Sequence, residues 1–313
     1  MIQLRDRPLL TEVYPNIHSF VPNKNSVYIF GSSVEERSDH LEEWQSKTSG
    51  VDFVCIKKQE SSSFTAVWKT DERIVQLRSA VQLSDFIDQF QNRNIYLDIT
   101  GLSHHIWAPI LKSALFRKVY LSAVYVEPGD YKYSTTPTEG EIFDLSEKIM
   151  GIAPIPGFTY LSEFDDENVC LIPLIGFEGT RLAYIIERID PPGGKILPIV
   201  GVPGFQPQYP FHTYHGNQTP LLQTQSWKNI RFAIANCPFS LFYTLQDIAK
   251  DYPGDLLKIA PIGTKPHALG AIMYSFFRPQ SVEIIYDHPI RKPTRTSGTS
   301  KLLVYHLSKL QLV

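Results

Sequence analysis

Cysteine is scarce in this chain: 313 residues carry three, Cys55, Cys170 and Cys237, with no CxxC spacing among them. An odd count without paired spacing excludes a disulfide framework and a cysteine-based zinc site. Each thiol sits among apolar neighbours, as buried thiols in a reducing cytosol do. Net charge is lacking too. Lys and Arg number 30 against 32 Asp and Glu, a formal charge of −2, which argues against a surface that tracks a long nucleic-acid backbone and confines any phosphate site to a local patch. No window approaches the roughly 18 consecutive apolar residues a spanning helix needs, and Arg5, Asp6 and Arg7 precede any apolar run. A soluble, cytoplasmic protein that meets no membrane is expected.

What is present is an ordinary globular composition, 43% hydrophobic and 20% charged, long enough for two domains at roughly 100 to 200 residues each. Short apolar runs alternate with longer amphipathic stretches, the mark of βα units on a mostly parallel sheet. In the first half, Val27–Phe30 reads as a strand turning at Gly31-Ser32-Ser33 into a helix between Glu35 and Lys47, with Leu41 and Trp44 at helical spacing. Val51–Ile56 is a second strand, Ile74–Phe90 a helical stripe, Ile95–Ile99 a strand that turns at Thr100-Gly101-Leu102-Ser103 into a helix ending near Phe116, and Val119–Val126 a fourth strand.

The second half repeats the order: strand Val169–Ile175, turn Gly176-Phe177-Glu178-Gly179, helix Thr180–Ile189, strands Ile196–Val200 and Ile230–Ala235, and helix Ser240–Ala249. Strand Leu256–Ile262 then turns through Gly263-Thr264-Lys265-Pro266 into a helix near Phe277, Val282–Tyr286 follows, and Leu302–Leu307 adds an antiparallel or edge strand. The expected class is α/β: two Rossmann-like halves with mostly parallel sheets, related by internal duplication. Local words match, because Gly101 precedes His105 by four positions as Gly263 precedes His267, and Tyr125-Val126-Glu127-Pro128 parallels Tyr286-Asp287-His288-Pro289. Each proline is expected to end its strand. The expected division is residues 1–135, a 136–166 linker with a short helix over Glu139–Met150, and 167–313 with a basic C-terminal loop and edge strand.

In open parallel sheets, ligands bind outside the carboxyl ends of the strands, where turns expose amides and helix N-termini aim positive dipole ends outward. Gly31-Ser32-Ser33, Thr100-Gly101-Leu102-Ser103, Gly176-Phe177-Glu178-Gly179 and Gly263-Thr264-Lys265 qualify. None is GxGxxG or GxxxxGK[ST], so neither a dinucleotide enzyme nor a P-loop NTPase is indicated. In Gly263-Thr264-Lys265-Pro266-His267, Thr264 can cap, Pro266 suits the first helical turn, and Lys265 is expected to project at the mouth of the helix end, where a phosphate fits. A helix start with a solvated lysine explains the same word.

Arg291, Lys292, Arg295, Lys301 and Lys309 stand in 288–313 without an acidic residue, in what reads as a Pro/Thr/Ser loop able to wrap a small anion, or as a solvated basic loop. The run between Val200 and Trp227, rich in proline and aromatics, reads as a structureless lid or docking element. His104, His105 and His267 are candidates for proton transfer or phosphodiester contacts. No HxH or HExxH occurs, and His212 and His215 alone do not make a metal site. GxSxG is absent.

Ile95-Tyr96-Leu97-Asp98-Ile99-Thr100-Gly101 resembles the glycine-turn motif of CRISPR-associated Rossmann-fold (CARF) domains, and the tandem arrangement is similar to that of the SAVED sensors. The resemblance implies a receptor for cyclic or linear oligonucleotide second messengers in prokaryotic antiviral defence, with Ser32, Ser33, Thr100, Gly101, Ser103, Gly263, Thr264 and Lys265 lining the cleft. Two positions depart from the pattern: Ser103 stands where a basic residue often follows the turn, and Ala260-Pro261 replaces the acid before the second turn. The expected function is a sensor subunit without cofactor or metal, binding an anionic nucleotide-type ligand at Gly31, Ser32, Ser33, Thr100, Gly101, Ser103, Gly176, Gly263, Thr264, Lys265, Arg291 and Arg295, and signalling to an effector or assembly partner. Two alternatives stay open. One is a nucleotide or phosphodiester hydrolase with His105 or His267 as acid/base, assisted by Glu178 and Arg181. The other is an assembly scaffold.

Overall fold

The computed structural model describes residues 10–31, 35–38, 44, 48–138, 141–160, 168–293 and 295–310. These divide into two units, one running up to Tyr131 and resuming at Thr296, the other spanning Lys132–Arg295.

The first unit is built on an eight-stranded sheet. Its strands are β1 (Thr11–Tyr14), β2 (Ser26–Gly31), β3 (Val51–Gln59), β4 (Ser63–Trp68), β5 (Asp71–Gln76), β6 (Asn94–Asp98), β7 (Leu121–Tyr131) and, from the chain's end, β18 (Thr296–His306). They lie in the order β1-β18-β7-β6-β2-β3-β4-β5. The four central strands pair in parallel, and the flanking pairs are antiparallel. β2 is buried along its whole length, which explains its unbroken Val27–Phe30 run: a parallel strand covered on both faces has no polar side. Tyr28, Phe30, Trp44 and Tyr96 pack into one aromatic cluster of the core.

Helix α1 (Ala80–Asp88) and helix α2 (His104–Phe116) belong to this unit. The expected helix over Ile74–Phe90 is instead β5 followed by α1. Ile74 pairs across the sheet with Thr65, and Ser79 starts the helix later, its side chain accepting from Gln82 N at 3.3 Å. Ile74 and Val81, counted in the apolar stripe, are exposed. Of the helix expected between Glu35 and Lys47, most lies outside the described residues, and Glu36–Ser38 forms one 3-10 turn. Pro128 does not end its strand: β7 continues to Tyr131 beside a register shift in β18.

The second unit carries a six-stranded sheet of β11 (Ala153–Pro154), β12 (Val169–Leu174), β13 (Ile199–Gly201), β14 (Arg231–Ala233), β15 (Leu256–Pro261) and β16 (Val282–Tyr286). Their order is β11-β16-β15-β12-β13-β14, parallel throughout except for β11. Five helices follow the strands: α3 (Gly179–Ile189), α4 (Tyr209–Gly216), α5 (Gln218–Gln223), α6 (Pro238–Asp251) and α7 (Lys265–Phe277). Short strands β8 (Tyr133–Thr138), β9 (Glu141–Phe143) and β10 (Ser146–Ile149) form an arm, tied to β17 (Pro289–Arg291) through β10. No described helix is long and apolar enough to cross a membrane.

The α/β class with Rossmann-like units is therefore the observed one, and three further expectations within it change. Where a helix over Glu139–Met150 is expected, the described residues form the strands β9 and β10. The run from Val200 to Trp227 is not structureless, since α4 and α5 occupy it, α4 starting at Tyr209 with Pro210 where no amide hydrogen is missed. The basic loop becomes β17 and the start of β18, and β18 lies in the first unit's sheet between β1 and β7.

Both units reverse their strand order beside their first parallel strand, which is where open α/β sheets open a crevice. In the first unit the reversal lies between β2 and β6, in the second between β12 and β15. Two glycine turns meet at each. A Cβ on Gly101 would stand 2.3 Å from Gly31 O, and one on Gly263 would stand 2.8 Å from Ile175 O. A buried arginine follows the first parallel strand of each unit: Arg37 donates to Tyr125 Oη and Val126 O midway along β7, and Arg181 to Asp287 just past β16. Both units thus share a close approach of two glycine turns and a buried arginine.

Candidate functional site

A cleft of about 500 Å³ opens in the second unit beside the β12–α3 turn. Its walls are the arm, through Ser134, Phe143, Ser146 and Lys148, and the start of α3, through Glu178, Gly179, Thr180 and Arg181. This is the carboxyl end of β12, at the reversal of strand order. Phe143 and Phe177 stack with centroids 4.5 Å apart and give the cleft an apolar wall. Tyr133 stacks on Phe143 at 4.9 Å, so both Phe143 faces are filled.

Glu178 is the N-cap residue of α3, yet its side chain does not cap. Instead its Oε1 accepts from Leu145 N at 3.0 Å and its Oε2 from Ser146 Oγ at 2.9 Å, both on the arm. Arg181 lies 3.7 Å from the same carboxylate but is held by Asp287, with Nε–Oδ2 at 2.6 Å and Nη2–Oδ1 at 2.7 Å, and donates to Ile262 O at 3.1 Å. Burial disfavours the Arg181 charge, and the Asp287 carboxylate more than offsets that, so its pKa is raised and it stays charged.

Arg181, Asp287 and Glu178 together carry one negative charge. A phosphate about 4 Å from the Glu178 carboxylate would be repelled by about 4 kcal/mol at an effective dielectric of about 20. A helix N-terminus returns about 1 kcal/mol, at most ~2. Repulsion wins, so the first turn of α3 favours a neutral group with hydrogen-bond donors. On the solvent side exposed Lys148 shares the lining with the exposed carboxylates of Glu141, Asp144 and Glu147, so the cation is outnumbered there as well.

The residues singled out in the sequence fare differently. Glu178 and Arg181 line the cleft, and Gly176 adjoins it through Phe177, its carbonyl accepting from Asn217 Nδ2 at 2.7 Å. Gly263, Thr264, Lys265, Arg291 and Arg295 do not line it. Thr264 caps α7 as expected, accepting from His267 N and donating to Ala235 O. Lys265 does not project: it is buried. Arg291 sits on β17 opposite Ser146, and the Arg295 carbonyl accepts from Lys132 N.

In the first unit, Gln59 covers the β6–α2 turn, its Oε1 accepting from Ser103 N at 2.8 Å and its Nε2 donating to Gly101 O at 3.0 Å. Thr100 Oγ1 accepts from Val126 N, and Asp98 Oδ1 from Thr100 N. Gly31 packs on the same turn. Ser32 and Ser33 lie outside the described residues.

Each candidate histidine is engaged. His104 Nδ1 accepts from Trp107 Nε1, and His105 Nε2 meets Glu60 O at 3.1 Å. His267 is buried against Ile234 O at 3.1 Å, and burial pushes its pKa down to about 4 despite the neighbouring carbonyls. No described histidine lines the cleft. Among the described residues no group of three or more His, Cys, Asp or Glu side chains is placed to hold a metal ion.

Sequence reasoning missed the arm, whose Ser134, Phe143, Ser146 and Lys148 form half of the cleft. The sequence Tyr133-Ser134-Thr135-Thr136-Pro137-Thr138 has no period-2 alternation, and its β-branched threonines are the only strand signal it carries. Gln59 left no such trace.

No family model matches the chain, and no curated protein matches it. Among solved structures, a ketoreductase domain from the bacillaene assembly line is similar at 9% identity, over 85% of this chain and 68% of that one, with a TM-score of 0.21. An overlay that loose carries no argument about chemistry. The fold description rests on strand order and register.

Proposed function

We propose that the chain is a non-catalytic sensor subunit that binds a nucleotide or oligonucleotide second messenger of prokaryotic antiviral defence in the second unit's cleft, and signals to a separate effector protein. The observation that carries this reading is the position of the cleft at the carboxyl end of β12, where the strand order reverses and α3 begins without a side-chain cap. The resemblance of the Ile95–Gly101 turn to CARF domains supplies the ligand class. An apolar wall suits a base, carboxylates and hydroxyls suit a sugar, and a phosphate held toward solvent would meet Lys148 against the charge of Glu141, Asp144 and Glu147.

The hydrolase alternative draws little support. His267 is buried and held neutral by burial at physiological pH, and Glu178 and Arg181 have no histidine beside them in the cleft. For the scaffold alternative, exposed Phe211, Trp227 and Phe232 offer partner contacts.

The deciding experiment mixes the protein with ATP, NAD and a panel of cyclic oligonucleotides, reading thermal stabilisation and product formation together. Stabilisation without turnover is expected. Product peaks would replace sensing with catalysis, and no response to any compound would leave the scaffold.

A further inference from the structure

Resting on the nucleotide reading above, we propose that the cleft reads the sugar of its ligand: Glu178 accepts hydrogen bonds from ribose hydroxyl groups, making the site selective for ribonucleotides over their 2′-deoxy analogues. Glu178 lines the cleft with its side chain only 10% exposed. An ionised carboxylate offers about four lone-pair sites. Leu145 N and Ser146 Oγ take two of them, at 3.0 and 2.9 Å, and Arg181 is committed to Asp287.

What remains is acceptor capacity facing a polar cleft, next to a net negative charge. Phosphate oxygens supply acceptors and charge of the wrong sign. A base amino group is flat and belongs against half-buried Phe177, since both faces of Phe143 are already filled. The neutral, compact donors of a nucleotide are its sugar hydroxyls, and a site built to accept from a hydroxyl discriminates strongly against the analogue that lacks it, since the buried acceptor is then left without its donor. Ser146 Oγ, already bonded to Glu178, lines the same cleft and adds a second group able to meet a diol.

The test is isothermal titration of the full chain with ATP, NAD and cyclic diadenylate, each beside its 2′-deoxy analogue. For the compounds that bind, the ribose form is expected to bind roughly ten-fold tighter or more. Glu178→Gln, which keeps the side-chain shape and an acceptor for Leu145 N, is expected to bring the ratio toward one. Because the readout is a ratio within one protein, a modest loss of stability in the variant does not imitate it. Equal affinity within a bound pair overturns sugar readout while nucleotide binding stands. Discrimination unchanged in Glu178→Gln overturns the role of Glu178. Binding of no compound of either kind overturns both the inference and the nucleotide reading.

Discussion

Arg181 and Asp287 meet through two parallel hydrogen bonds of 2.6 and 2.7 Å, joining the first turn of α3 to the end of β16. Asp287 is fully buried, so neither charge can fall back on water if its partner is lost. Removing one partner of such a pair costs about 3–5 kcal/mol, whereas replacing both by apolar groups of similar volume is far milder. Asp287→Ala is expected to lose about that much in chemical denaturation, and Arg181→Met/Asp287→Leu much less. Equal losses for the single and the double variant would show that the pair does not act as a unit.

The glycine turns are close approaches of backbone to backbone. A Cβ on Gly101 or Gly263 would come within 3.0 Å of a carbonyl oxygen, while one on Gly193 would meet nothing within 4 Å. Gly101→Ala and Gly263→Ala are expected to destabilise by about 1–3 kcal/mol, with Gly193→Ala close to neutral. Thermal unfolding of the three variants checks the order.

His267 gives folding a pH dependence of definite sign. Its pKa is about 4 in the folded chain against 6.5 in the reference state, so between those values the unfolded chain takes up a proton that the folded chain refuses. The contribution is complete above about pH 6.5 and is lost as pH falls toward 4, on the order of 3 kcal/mol in all. Glu12, whose pKa is lowered chiefly by the Tyr14 hydroxyl bond, adds a loss of the same sign on acidification. The measurement is therefore a difference: urea unfolding of wild type and His267→Gln from pH 4 to 7.5, with a shallower dependence expected in the variant.

The placement of β18 between β1 and β7 makes the first unit discontinuous in sequence. A chain truncated after Arg295 is expected to lose the cooperative unfolding of the first unit, and residues 132–295 to fold alone as judged by circular dichroism and a single transition. A truncated chain that keeps the first unit's protected amides would contradict this.

How far the sequence reveals this molecule follows from where its interactions lie along the chain. Val27–Phe30, Ile95–Asp98, Val169–Leu174 and Leu256–Pro261 are legible as strands because parallel strands buried on both faces leave unbroken apolar runs. The helices after Ser103, Glu178 and Thr264 are legible from their starts. The arm is not: over Glu139–Met150 the charges and apolar residues fit helical spacing, and only the β10–β17 pairing with residues far along the chain decides for strand. β18 shows itself as a strand, but its neighbours do not, since Thr296 pairs with Tyr131 from far along the chain. Lys265 looks solvent-facing because capping chemistry is local, while the packing that buries it comes from other segments. Of the candidate site, Glu178 and Arg181 stand in the sequence as alternatives, and the cleft that gives them meaning depends on the arm.

The central claim is that the cleft at the start of α3 binds the ligand. Exposed Thr180 lines it, and Thr180→Trp would fill it without touching the Arg181–Asp287 pair. The most direct measurement is calorimetric titration of wild type and Thr180→Trp with whichever nucleotide stabilises the wild type. One ligand per chain for wild type and none for the variant, with the unfolding midpoint kept, is the expected result. Undiminished binding by Thr180→Trp would contradict it.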